Sequence, residues 1–285
     1  KGEDYRQLKL AVLLQQVNLQ DIPKKFKNQN IHILVVSDPG MGKTQILRRV
    51  EELFPNNIYV DMQNTTQSGL VGAMVKKEGT ISTGSWYYER GAIPLANGGV
   101  LCADEKPSAY GIKYINEAME NGRISITKAT KPNLKLPANI ASLYAMNPLR
   151  EKFDPNLTCK EQIPMPESTL SRFDLILAMT DSVKSFDDEL EKLLATFDDE
   201  ENVNIPNDEA LKRYILYAQT FNPTVPNEIK LKTAKYVYKL RSKNNVNIRI
   251  MWSIRKLCVA LAKANLRSEV IEEDFDTAIT LYESF

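Results

Sequence analysis

Lys43 and Thr44, set directly behind Gly40 and Gly42, are the residues of this chain whose types and spacing most directly prescribe chemistry. In the run Ser37-Asp-Pro-Gly-Met-Gly-Lys-Thr44 the two glycines can take backbone conformations that side chains forbid, so backbone N–H groups can wrap phosphate oxygens. Lys43 would then reach the β and γ phosphates of ATP or GTP, and Thr44 would ligate Mg2+ through its hydroxyl. The candidate phosphate-binding set is Asp38, Pro39, Gly40, Met41, Gly42, Lys43, Thr44 and Gln45, with Thr44 and Asp104 as the candidate Mg2+ pair. The run departs from the general G-x-x-x-x-G-K-[ST] pattern at Ser37, which stands where the first glycine is expected.

Hydrolysis needs acids at a strand end as well as a phosphate cradle. The segment Val100-Leu-Cys-Ala-Asp104-Glu105 supplies them: Asp104 to help hold the metal shell, Glu105 to polarise the attacking water. The next apolar run ends in Asn147-Pro148, a polar side chain placed for the γ-phosphate or the water. In Leu170-Ser-Arg-Phe-Asp174, Arg172 is a candidate arginine finger, because a planar, permanently charged fork best meets charge developing on a transferring phosphate. The competing reading of Arg172 is a structural salt bridge with Asp174.

These residues need elements to position them. Apolar runs at Ile31–Val36, Ile58–Asp61, Gly99–Asp104, Ile140–Asn147 and Phe173–Met179, separated by helical stretches, predict a mostly parallel sheet covered on both faces. An amphipathic opening carries Leu8, Ala11, Val12 and Leu14 on a helical period. After Asp181 the pattern is helical only, with apolar stripes Leu211/Ile215/Ala218, Ile250/Ile254/Leu257/Leu261 and Phe275/Ala278/Ile279/Tyr282. The expected organisation is therefore an α/β nucleotide-binding core over residues 1–181 and an all-helical lid over 182–285, with the acidic run Asp198–Glu201 as a solvated loop.

Composition bounds the remaining possibilities. The 285 residues are 43% hydrophobic and 26% charged, ordinary for a globular chain, and no apolar run approaches membrane-spanning length. Cys102, Cys159 and Cys258 are dispersed and lack C-x-x-C spacing, which argues for a reducing compartment and against a zinc site. The single histidine, His32, lies inside a strand and is expected in a packed, hydrogen-bonded core role. With a net charge of +1, any nucleic-acid surface must be local.

Taken in order, the Ser37–Thr44 loop, Gly91-Ala-Ile-Pro-Leu-Ala-Asn-Gly-Gly-Val-Leu-Cys-Ala-Asp-Glu105, Glu117-Ala-Met-Glu120, Ile124-Ser-Ile-Thr-Lys-Ala129, Asn147-Pro148 and Leu170-Ser-Arg-Phe-Asp-Leu-Ile176 resemble the AAA+ motor of the minichromosome maintenance (MCM) helicases. The resemblance extends to the lid through Leu211–Ala218 and Ser268–Ile279, so it covers essentially the whole chain. It implies a five-stranded AAA+ core with inserted β-hairpins, ATP and Mg2+ as ligands, and a ring, commonly a hexamer, with ATP between subunits. Lys43, Thr44, Asp104, Glu105 and Asn147 would come from one protomer. Arg172 and a lid arginine, Arg249 with Arg255 as fallback, would come from its neighbour. The implied partners are single-stranded or forked DNA and replication factors. The implied location is the cytoplasm or nucleoid for an archaeal or mobile-element protein, or the nucleus in a eukaryote.

Two segments resemble the family's DNA-contacting elements: a helix-2 insert at about 67–88, with Lys76 and Lys77 near its tip, and a presensor hairpin at about 121–137. In the latter Arg123, Lys128, Lys131 and Lys135 form a basic patch without acids, and Lys128 matches the lysine that faces the channel. Trp86 and Tyr87 are expected to pack the insert's core rather than stack on bases. The chain departs from the family at Lys106-Pro-Ser-Ala109, at Arg150-Glu-Lys-Phe153 and at Gly42, where alanine is common. It begins at Lys1, and the family's N-terminal DNA-binding region has no counterpart in these residues, so the expectation is an isolated motor domain or a form without that collar.

Overall fold

The computed structural model describes residues 3–19, 29–76, 86–128, 131–180, 208–243 and 247–283. In chain order, α1 (Glu3–Val17) precedes β1 (Ile33–Ser37), α2 (Lys43–Glu51), β2 (Ile58–Asp61) and α3 (Gln67–Val71). Then come the paired strands β3 (Gly72–Lys76) and β4 (Trp86–Arg90), α4 (Ala92–Leu95), β5 (Val100–Asp104) and α5 (Ala109–Asn121). The second pair, β6 (Arg123–Lys128) and β7 (Lys131–Pro137), is followed by β8 (Ala141–Met146), a 3-10 turn at Cys159–Gln162, α6 (Glu167–Leu170) and β9 (Leu175–Met179). Among the described residues four helices follow: α7 (Asp208–Gln219), α8 (Asn227–Lys243), α9 (Arg249–Ala264) and α10 (Glu272–Glu283). The acidic run at 198–201 lies outside the described residues.

The five central strands run parallel in the order β2-β5-β8-β1-β9. Every residue of β1, β5 and β8 is buried, as a sheet covered on both faces requires. The two-residue period of a strand divides β1 between two cores. Ile33 and Val35 join one with Leu8 and Leu14 of α1, Leu47 of α2, and Ile254, Leu257 and Leu261 of α9. Leu34 and Val36 join the other with Leu70, Ile93, Tyr114 and Ile115. The lid helices thus continue the same hydrophobic cluster as one face of the sheet, and α1 forms the bridge between them.

Both inserted hairpins are antiparallel. In the first, Gly72 (φ 102°) lies so close to β4 that a Cβ there would sit 2.2 Å from the Glu89 carbonyl oxygen, so no other residue fits. Its expected packing is corrected by the structure at Tyr87, which is 49% exposed, because no described residue of the two-stranded ribbon joins either core; the Trp86 side chain lies outside the described residues. The second hairpin springs from α5 through Gly122, whose left-handed conformation (φ 61°, ψ 22°) caps that helix. No helix among the described residues is long and apolar enough to cross a membrane.

His32, just before β1, is buried and its Nδ1 accepts the Ser142 N–H at 3.2 Å. Burial first, and then the charge of Lys256, lowers its pKa from 6.5 to about 3. The unfolded chain therefore binds a proton that the folded chain refuses between those values, and stability from this group, complete above pH 6.5, is lost as pH falls through that window. We expect stability to fall by up to about 1.4 kcal/mol per pH unit from this residue. Denaturant titrations across pH 4.5–7 check it, and the slope should be shallower in His32→Asn, which keeps an acceptor but cannot titrate.

Candidate functional site

The phosphate loop is built by the end of β1. After Ser37 the Asp38 N–H still pairs with the Met179 carbonyl, and then Gly40 (φ 83°) and Gly42 (φ 70°) turn the chain into α2. Gly42 is the N-cap and offers no side-chain acceptor, so the first N–H groups of α2 point out of the helix without intrahelical partners. That end of a nine-residue helix, with its positive dipole, is a fitting seat for phosphate. Two contacts hold the loop from outside: the Tyr5 hydroxyl of α1 donates to the Met41 carbonyl at 2.8 Å, and the Phe153 N–H donates to Asp38 Oδ1 at 2.9 Å.

Lys43 reaches back across the loop. Its Nζ donates to the Ser37 carbonyl (2.9 Å), Ser37 Oγ (3.0 Å), the Asp38 carbonyl (3.1 Å) and Asn147 Oδ1 (2.5 Å). Burial lowers its pKa, and the carboxylates of Glu105, Asp104, Asp38 and Glu151 oppose that shift, keeping a cation in an acid-lined recess. The acids come from β5. Asp104 Oδ2 accepts from Thr44 Oγ1 at 2.7 Å and from the Tyr59 hydroxyl at 3.1 Å, while its Oδ1 accepts the Glu105 N–H at 3.1 Å. Two oxygen ligands of hard-cation chemistry, a threonine hydroxyl and a carboxylate, are thus adjacent and suit Mg2+.

Glu105 has φ 68°, a left-handed conformation that costs a non-glycine residue about 1–3 kcal/mol and here turns the chain abruptly out of β5. Burial and the neighbouring Asp104 raise its pKa, with Lys43 pulling the other way. Asn147, at the end of β8, accepts from Lys43 and donates from Nδ2 to Glu151 at 2.8 Å. Lys43, Thr44, Asp104, Glu105 and Asn147 therefore form one group, at the C-terminal ends of three adjacent strands.

Arg172 and Arg249 are elsewhere. Arg172 Nη2 meets Glu120 Oε2 at 3.0 Å, and its Nη1 donates to the Ser168 carbonyl. Arg249, the first residue of α9, approaches Glu120 Oε1 at 3.5 Å and donates to Ser171 Oγ at 3.4 Å. Both line a cavity of about 510 Å³ between core and lid, together with Arg255, and none of the five residues of the first group lines it.

Arg172 does not pair with Asp174 as the alternative reading had it. Asp174 is claimed by Lys256 (2.9 Å), Ser253 (2.6 Å) and the His32 backbone N–H (2.9 Å), joining α9 to the foot of β1.

The basic residues of the hairpins are placed by their backbones. Lys76 pairs with Trp86 at the described end of the first hairpin, and Lys77 lies outside the described residues. Lys128 pairs with Lys131 at the described end of the second hairpin, and Arg123 and Lys135 are exposed further along it.

Sequence reasoning missed Tyr59, Glu120 and Lys256. Tyr59 reaches Asp104 only because β2 lies beside β5, and Glu120 was visible merely as part of a motif. Cys102 and Cys258 are buried core residues, with thiol pKa values pushed up chiefly by burial.

A phosphate loop on a parallel sheet, with acids on the neighbouring strand and a helical lid behind, defines a P-loop nucleotide-binding architecture. Comparison with known proteins makes the assignment specific. The MCM P-loop domain matches residues 3–197 and the MCM AAA-lid domain matches residues 209–285. The chain belongs to the MCM family. It is 34% identical over 292 aligned residues to an uncharacterized MCM-type protein of Methanocaldococcus jannaschii, covering 96% of this chain and 42% of that protein. It is 32% identical to the minichromosome maintenance protein MCM of Saccharolobus solfataricus (90% and 38% covered). It is 31% identical to the DNA replication licensing factor mcm2 of Xenopus laevis (90% and 32% covered). The chain thus spans about two-fifths or less of the length of these relatives.

The Asp174 cluster has a direct consequence. The carboxylate is 5% exposed and Lys256 is 17% exposed, so removing the acid strands a largely buried ammonium and the His32 N–H. Asp174→Ala should cost about 3–5 kcal/mol in urea unfolding at neutral pH.

Proposed function

We propose that this chain is the ATP-hydrolysing motor of an MCM-class DNA helicase or translocase, working as a ring, probed most simply as a hexamer, on single-stranded or forked DNA. The observation that carries the reading is the division of the catalytic set. Five of its members gather at the strand ends, whereas Arg172 and Arg249 meet around Glu120 beside a cavity that the five do not line. A nucleotide seated on the phosphate loop would lack the cations that stabilise the transferring phosphoryl group until a neighbouring copy brought them.

The geometry supports the following roles. Within the loop Asp38–Gln45 the backbone N–H groups from Gly40 onward hold phosphate oxygens, and Lys43 exchanges its contacts with Ser37 and Asn147 for the β and γ phosphates. Bound Mg2+ would neutralise phosphate charge, with Thr44 and Asp104 holding it. Glu105 accepts a proton from the attacking water, and Asn147 orients that water or the γ-phosphate. The neighbour's Arg172 and Arg249 meet the charge that develops as the terminal phosphate leaves. The hairpin carrying Lys128 and Lys131, with Lys76 and Lys77 on the other insert, would grip phosphates of a strand in the pore without reading its sequence.

A slower, ring-assembling ATP-binding subunit is favoured by one observation: Ser37 Oγ, which a glycine would lack, accepts from Lys43 and holds it back in the loop. Under that reading Ser37→Gly speeds hydrolysis; under the motor reading it does not.

Lys43→Ala and Arg172→Ala should each lower DNA-stimulated ATP hydrolysis by about 10³ or more. Mixed in equal amounts they should recover activity at about a quarter of the interfaces, those with an intact loop facing an intact arginine. No recovery on mixing would refute the divided site. Lys128→Ala should weaken single-strand binding and reduce the slope of log affinity against log salt by about 0.7. An unchanged slope would remove the hairpin from the DNA contact.

A further inference from the structure

We infer that Glu120 is the positioning residue that aligns Arg172 and Arg249 as a single unit. The inference rests on the divided-site reading above and names the group that makes its second half work. Arg172 follows α6 in the core, whereas Arg249 opens α9 in the lid, so nothing in the chain's connectivity sets their separation. Each guanidinium instead finds a different oxygen of one carboxylate, Oε2 at 3.0 Å and Oε1 at 3.5 Å. Ser171, beside Arg172 in sequence, adds a second link to Arg249 at 3.4 Å.

The physical need for such a group is plain. Two guanidinium groups directed at one phosphate repel each other and would swing apart on their long side chains before any phosphate arrived. A carboxylate between them offsets that repulsion and restricts both forks, so less ordering remains to be done when they meet the phosphate. Glu120 is itself well held. It lies in the last turn of the 13-residue α5, next to Ala118 and Met119 in the second core and two positions before the Gly122 cap. Arg172 is constrained further by the Ser168 carbonyl, and its buried Nε has no acceptor among the described residues.

The carboxylate touches neither the strand-end group nor the phosphate loop in this structure, which separates its role from catalysis proper. It acts through the arginines. Loss of its charge, with the shape kept, should therefore lower turnover without loosening nucleotide binding on the opposite face of the same protomer. Loss in a chain that already lacks both arginines should have no further effect.

The test compares Glu120→Gln and Glu120→Asp in the full chain with the same Glu120→Gln change added to Arg172→Ala/Arg249→Ala. We expect Glu120→Gln to lower the kcat of ATP hydrolysis at least about tenfold with KM within about twofold, Glu120→Asp to recover part of the loss, and no further change in the doubly substituted background. Thermal melting gives a reading that needs no hydrolysis: Glu120→Gln should lower Tm by about 1–3 °C in the wild-type background and not at all where both arginines are gone. Equal Tm shifts in the two backgrounds, or an unchanged kcat in an enzyme whose hydrolysis depends on Lys43, would overturn the inference. Hydrolysis no greater than that of Lys43→Ala would instead sink the ATPase reading, and melting would still decide whether Glu120 joins the arginines.

Discussion

A parallel sheet buried on both faces leaves polar chemistry only at its strand ends, and the rest of this structure depends on that constraint. Along β1, β5 and β8 every position is buried and, Ser142 apart, the polar residues stand only where the strands stop. Ser37 and Asp38, Asp104 and Glu105, and Asn147 are those residues. Because the three strands are neighbours in register, with Asp104 beside Ala145 and Val36 beside Met146, their ends form one polar rim. Lys43 and Thr44 then join it from the first turn of α2.

The second organising interaction is ionic and lies at the foot of the sheet. Asp174 receives Lys256 and Ser253 from α9 and the backbone of His32 from the approach to β1. Such a paired, desolvated carboxylate contributes little net energy against an apolar alternative, yet it specifies one docking of the lid upon the core. With α9 anchored there, Arg249 at its start is carried to Glu120 and Arg172. The apolar cluster running from α1 through the sheet face to Ile254 and Leu257 supplies the bulk of the adhesion.

Strain is concentrated where the polar rim turns. Glu105 and Glu151 both take positive φ without being glycines, and both lie within the network of Lys43, Asp104 and Asn147. Backbone held in such a conformation must be sustained by its surroundings; here the Glu105 N–H bonds the Ala145 carbonyl of β8 and the Glu151 N–H the Pro148 carbonyl, both at 3.0 Å. The raised carboxyl of Glu105 has the same origin: burial beside Asp104 disfavours a second negative charge.

What the sequence determined by itself was local. The phosphate loop, the acid pair, the asparagine and the strand identities were legible because each is a contiguous segment whose conformation follows from its own residues, and the apolar periods of the lid helices turn towards the core, with Leu211, Ile279 and Tyr282 only partly buried. The exposure of Tyr87 was not legible, since whether a hairpin packs depends on a layer that periodicity does not reveal. Nor were Tyr59 on Asp104, Lys256 on Asp174, or the meeting of Arg172 with Arg249 at Glu120. Those contacts join residues 45 to 129 positions apart. Strand order and lid docking decide them, and these are settled by which surfaces bury together, a property of the folded chain as a whole rather than of any segment.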